Sequence, residues 1–243
     1  MQLRTIALAQ KRPRPATVVL KRCLDLVGAI VGLVLLSPVF LIVAIAIKLD
    51  TAGPVIFRQQ RVGRDGRLFT ILKFRSMTVD APCRGSALTV RADKRITRVG
   101  RLLRKSKLDE LPQLVNVLVG DMSFVGPRPE VPEFMRFYSP EQRETIVSMR
   151  PGLTDYAAIL FRDESALLDQ SADPIDIYRR LIMPIKFSQC ERYRREIGIL
   201  TDLRSILAMA LLLTIGRAPS WVRIERELLA PPVLQGDGDA ASR

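Results

Sequence analysis

Charge vanishes from residues 26–47, a run of 22 positions without Asp, Glu, Lys or Arg. As a straight helix rising about 1.5 Å per residue, such a run is roughly 33 Å long, enough to cross a bilayer core. Ser37-Pro38 sits in its middle. Proline removes a backbone donor and clashes with the preceding turn, so a bend or break is expected there. The Ser37 hydroxyl is placed to bond a freed carbonyl. Beyond this run the periodicity changes. Residues 55–61 and 68–74 are short β-like runs separated by Gly63-Arg64-Asp65-Gly66, which predicts a hairpin. Residues 79–90 read as loop. Over residues 91–107 the pattern turns helical: Arg91, Arg95, Arg98, Arg101 and Lys105 recur every three or four positions, opposite Ile96, Val99, Leu102 and Leu103.

Leu111, Leu114, Val115 and Leu118 mark another helix, with Pro112 in its first turn. Ser139-Pro140-Glu141-Gln142 is a capping box that starts a helix reaching about residue 149. Residues 150–154 read as loop. Residues 174–197 read as a helix kinked at Pro184. Residues 206–215 are apolar but too short to span a membrane, so they either lie in the interface or pack on the domain. The expected class is α+β, mostly helical, with a broken membrane helix, amphipathic interfacial helices and a small β-hairpin. The expected division is a basic segment 1–22, a membrane helix 23–50 broken at Ser37 and Pro38, a catalytic domain 51–215 on the membrane surface, and a tail 216–243 in which Trp221 could touch the interface.

Flanking charge bears on how the apolar run sits. Residues 1–22 carry Arg4, Lys11, Arg12, Arg14, Lys21 and Arg22 with no acid, and residues 48–69 carry five bases against Asp50 and Asp65. The positive-inside rule wants both flanks on the cytoplasmic side. A helix that enters, turns at Ser37-Pro38 and returns satisfies it; a proline-kinked spanning helix does not, though its length fits. Both readings remain open at this level. The run starts too late for a signal peptide and lacks a small-residue cleavage site.

Composition narrows the chemistry. Lys and Arg number 38 against 25 Asp and Glu, a net charge of +13. Such a chain seeks anionic partners: nucleic acid, anionic lipid or phosphorylated substrates. Apolar residues make up 48% of it and mean hydropathy is +0.13, which fits a membrane protein with basic flanks. There is no recognisable nucleic-acid-binding motif and aromatic content is only 6%, so no nucleic-acid partner is expected. Histidine is absent. That excludes His-ligated zinc, Ser-His triads and Cys-His pairs, and leaves acid–base and nucleophilic work to Asp, Glu, Lys, Tyr, Ser or Cys. Cys23, Cys83 and Cys190 are scattered, as reduced cytosol-facing thiols would be.

Asp109 and Glu110 are adjacent acids at the expected helix start, just after Arg104, Lys105 and Lys107. Residues 70–107 hold eleven bases against Asp80 and Asp93. A helix start keeps carboxylates ionised and also attracts phosphate. A divalent cation, usually Mg²⁺, reconciles the two anions by bridging their oxygens. Arg128 lies between Pro127 and Pro129, whose fixed backbone presents its guanidinium with little entropy left to lose. The plainer alternatives are an ordinary pair of helix-start acids and, for residues 91–107, a solvated surface helix in place of one lying on anionic lipid.

The motifs Ser37-Pro38, Lys73-Phe74-Arg75-Ser76-Met77, Arg104-x-x-x-Leu108-Asp109-Glu110-Leu111-Pro112-Gln113, Gly120-Asp121-Met122-Ser123, Gly126-Pro127-Arg128-Pro129 and Arg150-Pro151-Gly152-Leu153-Thr154 occur in that order. Together, over about residues 18–215, they resemble the bacterial sugar transferases, also called monotopic phosphoglycosyl transferases, in their small catalytic form. The resemblance implies transfer of a sugar-1-phosphate from a UDP-sugar to polyprenyl (undecaprenyl) phosphate with release of UMP, as the first membrane step of exopolysaccharide or glycoconjugate synthesis. It implies a re-entrant helix, Mg²⁺ held at Asp109 and Glu110, and Asp109 as a nucleophile that forms an aspartyl-phosphosugar. It further implies phosphate binding by Arg104 and Arg128, with Lys73, Arg75 and Arg150 as further candidates. The location implied is the cytoplasmic face of the bacterial inner membrane. Asp155-Tyr156-Ala157 departs from the Gly-Trp-Ala-like sequence of many members. The competing reading is a non-catalytic basic membrane adaptor for polysaccharide assembly. Which sugar is transferred, and whether the chain forms a homodimer, the sequence does not say.

Overall fold

A computed structural model describes residues 15–81, 88–89, 93–161, 164–168 and 173–216. Most of the basic segment 1–22, the middle of the loop 79–90, Cys83, Arg91 and the tail with Trp221 lie outside the described residues. The charge-free run forms two helices, α1 (Pro15–Leu35) and α2 (Ser37–Asp50), bent by 59° at their junction. Pro38 has no N–H for the carbonyl four residues back, and the Ser37 hydroxyl donates to that same Val34 carbonyl at 2.8 Å. Among the described residues no single helix is long and apolar enough to cross a membrane.

Both arms of the bent pair dock on the rest of the protein. The docking elements are the antiparallel hairpin β1 (Ile56–Val62) and β2 (Leu68–Phe74), α3 (Arg98–Ser106), α4 (Gln113–Val119) and β3 (Ser123–Val125). Gly28 lies so close to the Phe124 ring that a Cβ there would stand 2.8 Å from it. Gly32 meets Leu114, and Ala29 is fully buried against Phe69, Ile71, Val117 and Met122. Arg22 donates to the Val117 and Leu118 carbonyls at 2.6 and 3.0 Å, answering the negative end of α4. On the other arm, Val43 and Ile47 pack on Phe74 and Leu103. Asp50 accepts from the Val99 N–H at 3.0 Å, so the end of α2 caps the start of α3. Between the docked stretches Val34, Leu35, Leu41 and Ile42 stand exposed.

The hairpin follows the expected boundaries, with Asp65 and Gly66 taking the positive φ its turn needs (56° and 73°). Helix α3 is half the expected length. Asp93 accepts from the Arg95 N–H and guanidinium at 2.9 Å, which holds residues 93–96 as a turn, and Thr97 caps α3 by accepting from Gly100 N–H. Residues 150–154 are not all loop: β4 (Gly152–Thr154) pairs in parallel with β3.

Short helices α5 (Pro132–Met135), α6 (Pro140–Val147), α7 (Tyr156–Leu160), α8 (Glu164–Leu168) and α9 (Pro174–Ile177) lead into α10 (Met183–Glu196) and α11 (Ile199–Thr214). The Ser139 capping box forms as expected. The kink near Pro184 is a π-type turn, Tyr178–Ile182, between α9 and α10. The apolar stretch 206–215 is the latter part of α11 and the residue after it; it packs Ala208 and Leu212 on Ile159 and leaves Leu207 and Ile215 exposed. A second core of Phe134, Tyr138, Phe161, Tyr178 and Ile182 joins α5 to α10. The class is α+β and mostly helical, with two small two-stranded sheets.

Gly100 sets how closely α3 approaches the chain after β2, since a Cβ there would stand 2.0 Å from the Ser76 carbonyl oxygen. Backbone cannot yield as a side chain does. Gly100→Ala is therefore expected to cost about 1–3 kcal/mol or more, read as a drop of several degrees in the thermal unfolding midpoint. Gly66→Ala, with no atom within 4 Å but a positive φ, should lose only about 1 kcal/mol. Equal midpoints for the two variants would contradict the close contact.

Candidate active site

The two acids sit in a single 3-10 turn, Leu108–Glu110, between α3 and α4. Lys107 ends α3 in the left-handed conformation (φ 59°), and this reversal turns the next residues inward. Asp109 and Glu110 are both buried. They line a cleft of about 1300 Å³ together with Lys73, Arg104, Lys105, Lys107, Arg128 and Arg61.

The two carboxylates have unlike surroundings. Glu110 Oε1 accepts from Lys73 Nζ at 2.8 Å and from Arg128 Nη2 at 2.6 Å. Burial alone would favour its neutral acid, but Arg128 and then Lys73 outweigh burial and hold the carboxyl well below the usual range. Glu110 is thus a fixed anion. Burial depresses the Lys73 ammonium, with Glu110 opposing, while Glu110 raises the Arg128 guanidinium. Asp109 Oδ1 is buried with no hydrogen-bond partner. Burial pushes its carboxyl up; Lys73 opposes that, and the neighbouring Glu110 charge adds to it. A carboxylate with unengaged lone pairs, on a residue that lines a basic cleft, is equipped to attack phosphorus or to ligate a cation.

The candidate residues come together only in part. Lys73 and Arg75 lie two apart in the sequence, but only Lys73 reaches Glu110. Arg75 instead donates to the Thr51 and Ala52 carbonyls after α2, so both ends of its guanidinium hold chain segments together. Arg104 lines the cleft with the dyad. Arg150 does not line it; burial and then the charges of Arg22 and Arg64 lower its guanidinium, with Asp25 and Asp65 opposing.

Two contributors were missing from the sequence reading. Arg61 donates to the Pro129 carbonyl at 3.0 Å, and Asp155 accepts from the Arg128 N–H at 3.1 Å while also capping α7. With Gly152 N–H bonded to the Pro127 carbonyl at 3.0 Å, the Pro127-Arg128-Pro129 segment is held at each of its residues. Strand register carried a signal for Arg61. It shares a face with Lys73, since Phe57 pairs with Lys73 and Arg61 with Phe69. Cations on a face that also buries Phe69 and Ile71 call for a function. Asp155 stood out in the sequence only as part of the departure from the Gly-Trp-Ala-like pattern, with no role attached.

Among the described residues no group of three or more His, Cys, Asp or Glu gathers as a metal site. That does not disfavour Mg²⁺, which commonly takes one or two carboxylates and completes its shell with water and substrate phosphate. The unengaged Asp109 Oδ1 fits that role.

A family model described as bacterial sugar transferase matches residues 16–212. The chain is 41% identical over 150 residues to an Aeromonas hydrophila UDP-N-acetylgalactosamine-undecaprenyl-phosphate N-acetylgalactosaminephosphotransferase, covering 61% of this chain and 36% of that protein. It is 45% identical over 160 residues to a Caulobacter vibrioides UDP-glucose:undecaprenyl-phosphate glucose-1-phosphate transferase, covering 65% of this chain and 60% of the relative. A putative undecaprenyl-phosphate N-acetylgalactosaminyl 1-phosphate transferase of Bacillus subtilis is 41% identical over 140 residues, 58% of this chain and 77% of that protein. The alignments thus span only about a third to three fifths of the first and second of these relatives.

The contrast within the dyad predicts stability changes of opposite sign. Glu110→Gln leaves Lys73 and Arg128 without their counter-charge and should destabilise by about 3–5 kcal/mol. Asp109→Asn removes a buried charge and should stabilise by about 0.5–2 kcal/mol at pH 7. Because burial raises Asp109 in the folded state, that gain should fade as pH falls and vanish below the unfolded value of about 3.9, where the carboxyl is neutral in both states. Thermal unfolding of both variants between pH 3.5 and 8 reads this; an Asp109→Asn variant less stable than the parent at pH 7 would refute it.

Proposed function

The chain belongs to the bacterial sugar transferase family, and from that premise we propose that it transfers a sugar-1-phosphate from a UDP-sugar to undecaprenyl phosphate, releasing UMP. The observation that carries this reading is the unpartnered Asp109 carboxylate oxygen beside an ion-paired Glu110 in a basic cleft.

In the first displacement an Asp109 oxygen attacks the phosphorus that bears the sugar. The bond from that phosphorus to the oxygen bridging it to UMP breaks, and UMP leaves with the electron pair. In the second, an oxygen of undecaprenyl phosphate attacks the same phosphorus, and Asp109 leaves as a carboxylate. An ionised carboxylate and a phosphate oxygen attack without giving up a proton, so neither displacement needs a general base, in keeping with a chain that has no histidine. Two steps let one phosphate site serve a soluble donor and a lipid acceptor in turn. Arg128 and Arg104 bind phosphate oxygens, and Glu110 keeps Lys73 and Arg128 charged and in place. Asp109 and Glu110 would hold Mg²⁺, which when bound offsets the charge of the phosphates meeting the carboxylates.

The same reading puts the bent pair α1–α2 into the cytoplasmic leaflet of the inner membrane as a re-entrant hairpin, residues 23–50, with residues 51–215 as the catalytic unit on the surface. What supports it is that both arms dock on one body, at Gly28 to Gly32 and at Val43 to Asp50. About six residues separate Gly32 from the apex, a reach near 9 Å at the helical rise, well short of the roughly 30 Å of bilayer hydrocarbon. The homodimer remains outside this proposal.

The test is UMP release from membranes carrying the chain, across a panel of UDP-sugars with undecaprenyl phosphate. At least one donor should yield UMP, and Asp109→Asn should lower turnover by about 10³-fold or more. Near-normal turnover in that variant would overturn the nucleophile assignment. For topology, Val19→Cys and Leu49→Cys, both at exposed positions, in a background without Cys23, Cys83 and Cys190, should label only from the cytoplasmic side. Periplasmic labelling of either would establish a spanning helix.

A further inference from the structure

The cleft is larger than a phosphate site requires, and its two ends differ in chemistry. The dyad end is rimmed by Lys73, Arg104, Lys105, Lys107 and Arg128. Past Pro129 the wall is built by α7, α8, α10 and the π-type turn. Phe161, Leu168 and Tyr178, all nearly buried, back the lining there, with Glu130, Glu164 and Lys186 among its charged groups. Acids and bases are mixed there, in place of a run of cations. A phosphate is favoured at the first end and opposed at the second, so the inner lobe suits an uncharged polar group.

Its polar groups form a directed chain. Lys186 Nζ donates to Glu164 Oε1 and Oε2 at 3.1 and 3.0 Å and to the Tyr178 hydroxyl at 3.3 Å. Tyr178 in turn donates to Glu130 at 2.9 Å. The Lys186 ammonium stands 4.7 Å from the centre of the Tyr178 ring, and Phe134 backs that ring at 5.0 Å between centroids. The Glu164 side chain keeps 27% of its surface open against 12% for Lys186, and both line the cleft. Each carboxylate oxygen has two lone pairs, so Glu164 retains acceptor capacity with Lys186 bound. An apolar wall with a few oriented polar groups is the usual make-up of a small-molecule pocket. A carboxylate–ammonium pair on an apolar lining can bond the hydroxyls of a pyranose.

We propose that this inner lobe is the donor-sugar pocket, and that the Lys186–Glu164 pair determines which sugar is accepted. The inference rests on the proposed transfer from a UDP-sugar and deepens it. A charged hydrogen-bonding pair left unmatched by an epimer's hydroxyl discriminates by roughly 10- to 100-fold.

The experiment uses the full chain in membranes. It measures kcat/KM for UDP-glucose, UDP-galactose and their N-acetyl forms, and UMP binding by competition, for the parent, Lys186→Arg and Glu164→Gln. Both variants keep side-chain size close, and unchanged UMP binding shows that the site is folded. The expected result is a change of about tenfold or more in the ratio of kcat/KM between the best donor and its C4 epimer, with UMP affinity within twofold. An unchanged ratio with UMP affinity intact overturns the pocket while the transfer reaction stands. UMP affinity falling in step with every donor also overturns it, by giving the lobe to the nucleoside. Loss of UMP binding in both variants does the same, because the pair then supports the site instead of reading the sugar. If the parent releases UMP from no donor and binds none better than UMP, the transfer reaction and the pocket both fall.

Discussion

One buried carboxylate holds three parts of the molecule together. Glu110 comes from the turn before α4, Lys73 from β2 and Arg128 from the loop after β3, and they meet within 2.6–2.8 Å. Removing ions from water is costly, and such a cluster is tolerated only where each charge is matched. The hairpin, the α3–α4 turn and the proline-bracketed arginine must therefore assemble together. Lys73 and Arg128 bond Glu110, and Asp109 Oδ1 is left without a hydrogen-bond partner. Its raised affinity for protons follows from burial beside a permanent anion.

A second set of contacts joins this cluster to the bent helix pair. Lys21 of α1 forms an ion pair with Asp202 of α11 and donates to the Val125 carbonyl at 3.0 Å; the Tyr193 hydroxyl bonds both Asp202 and Val125. Asp25 accepts from the Phe124 N–H at 3.1 Å. These partners surround β3, three residues before Arg128. The early turns of α1 are therefore part of the body that carries the chemistry, although they precede the charge-free run directly. The small residues Gly28, Ala29 and Gly32 then let the helix lie flat on that body before it departs.

Local signals were legible from the chain alone. Proline after serine in an apolar run, a glycine-bounded turn between β-like runs and a Ser-Pro-Glu-Gln cap each act through neighbouring backbone, and each appears where expected. The dyad was legible as chemistry, from two acids following a run of bases. What needed three dimensions was the division of labour. Lys73 and Arg75 look equivalent in a motif, and the period of two along a strand would put them on one face, yet β2 ends at Phe74: Lys73 reaches Glu110 from the strand while Arg75, beyond it, turns to carbonyls after α2. Arg91 and Arg95 continued a helical repeat that Asp93 interrupts by binding Arg95. Asp155 holds Arg128 from 27 residues away, a distance at which no spacing rule operates.

The bend at Ser37 carries its own remedy. The hydroxyl of Ser37 bonds the carbonyl that Pro38 leaves without a donor, so no second helix has to supply that bond. A tip of this kind can be surrounded by acyl chains alone. Seated as proposed, it takes up lateral area in one leaflet and none in the other. Such a wedge does work against the lateral pressure of that leaflet, which ties the protein's seating to how tightly the surrounding lipids are packed and to the curvature they favour.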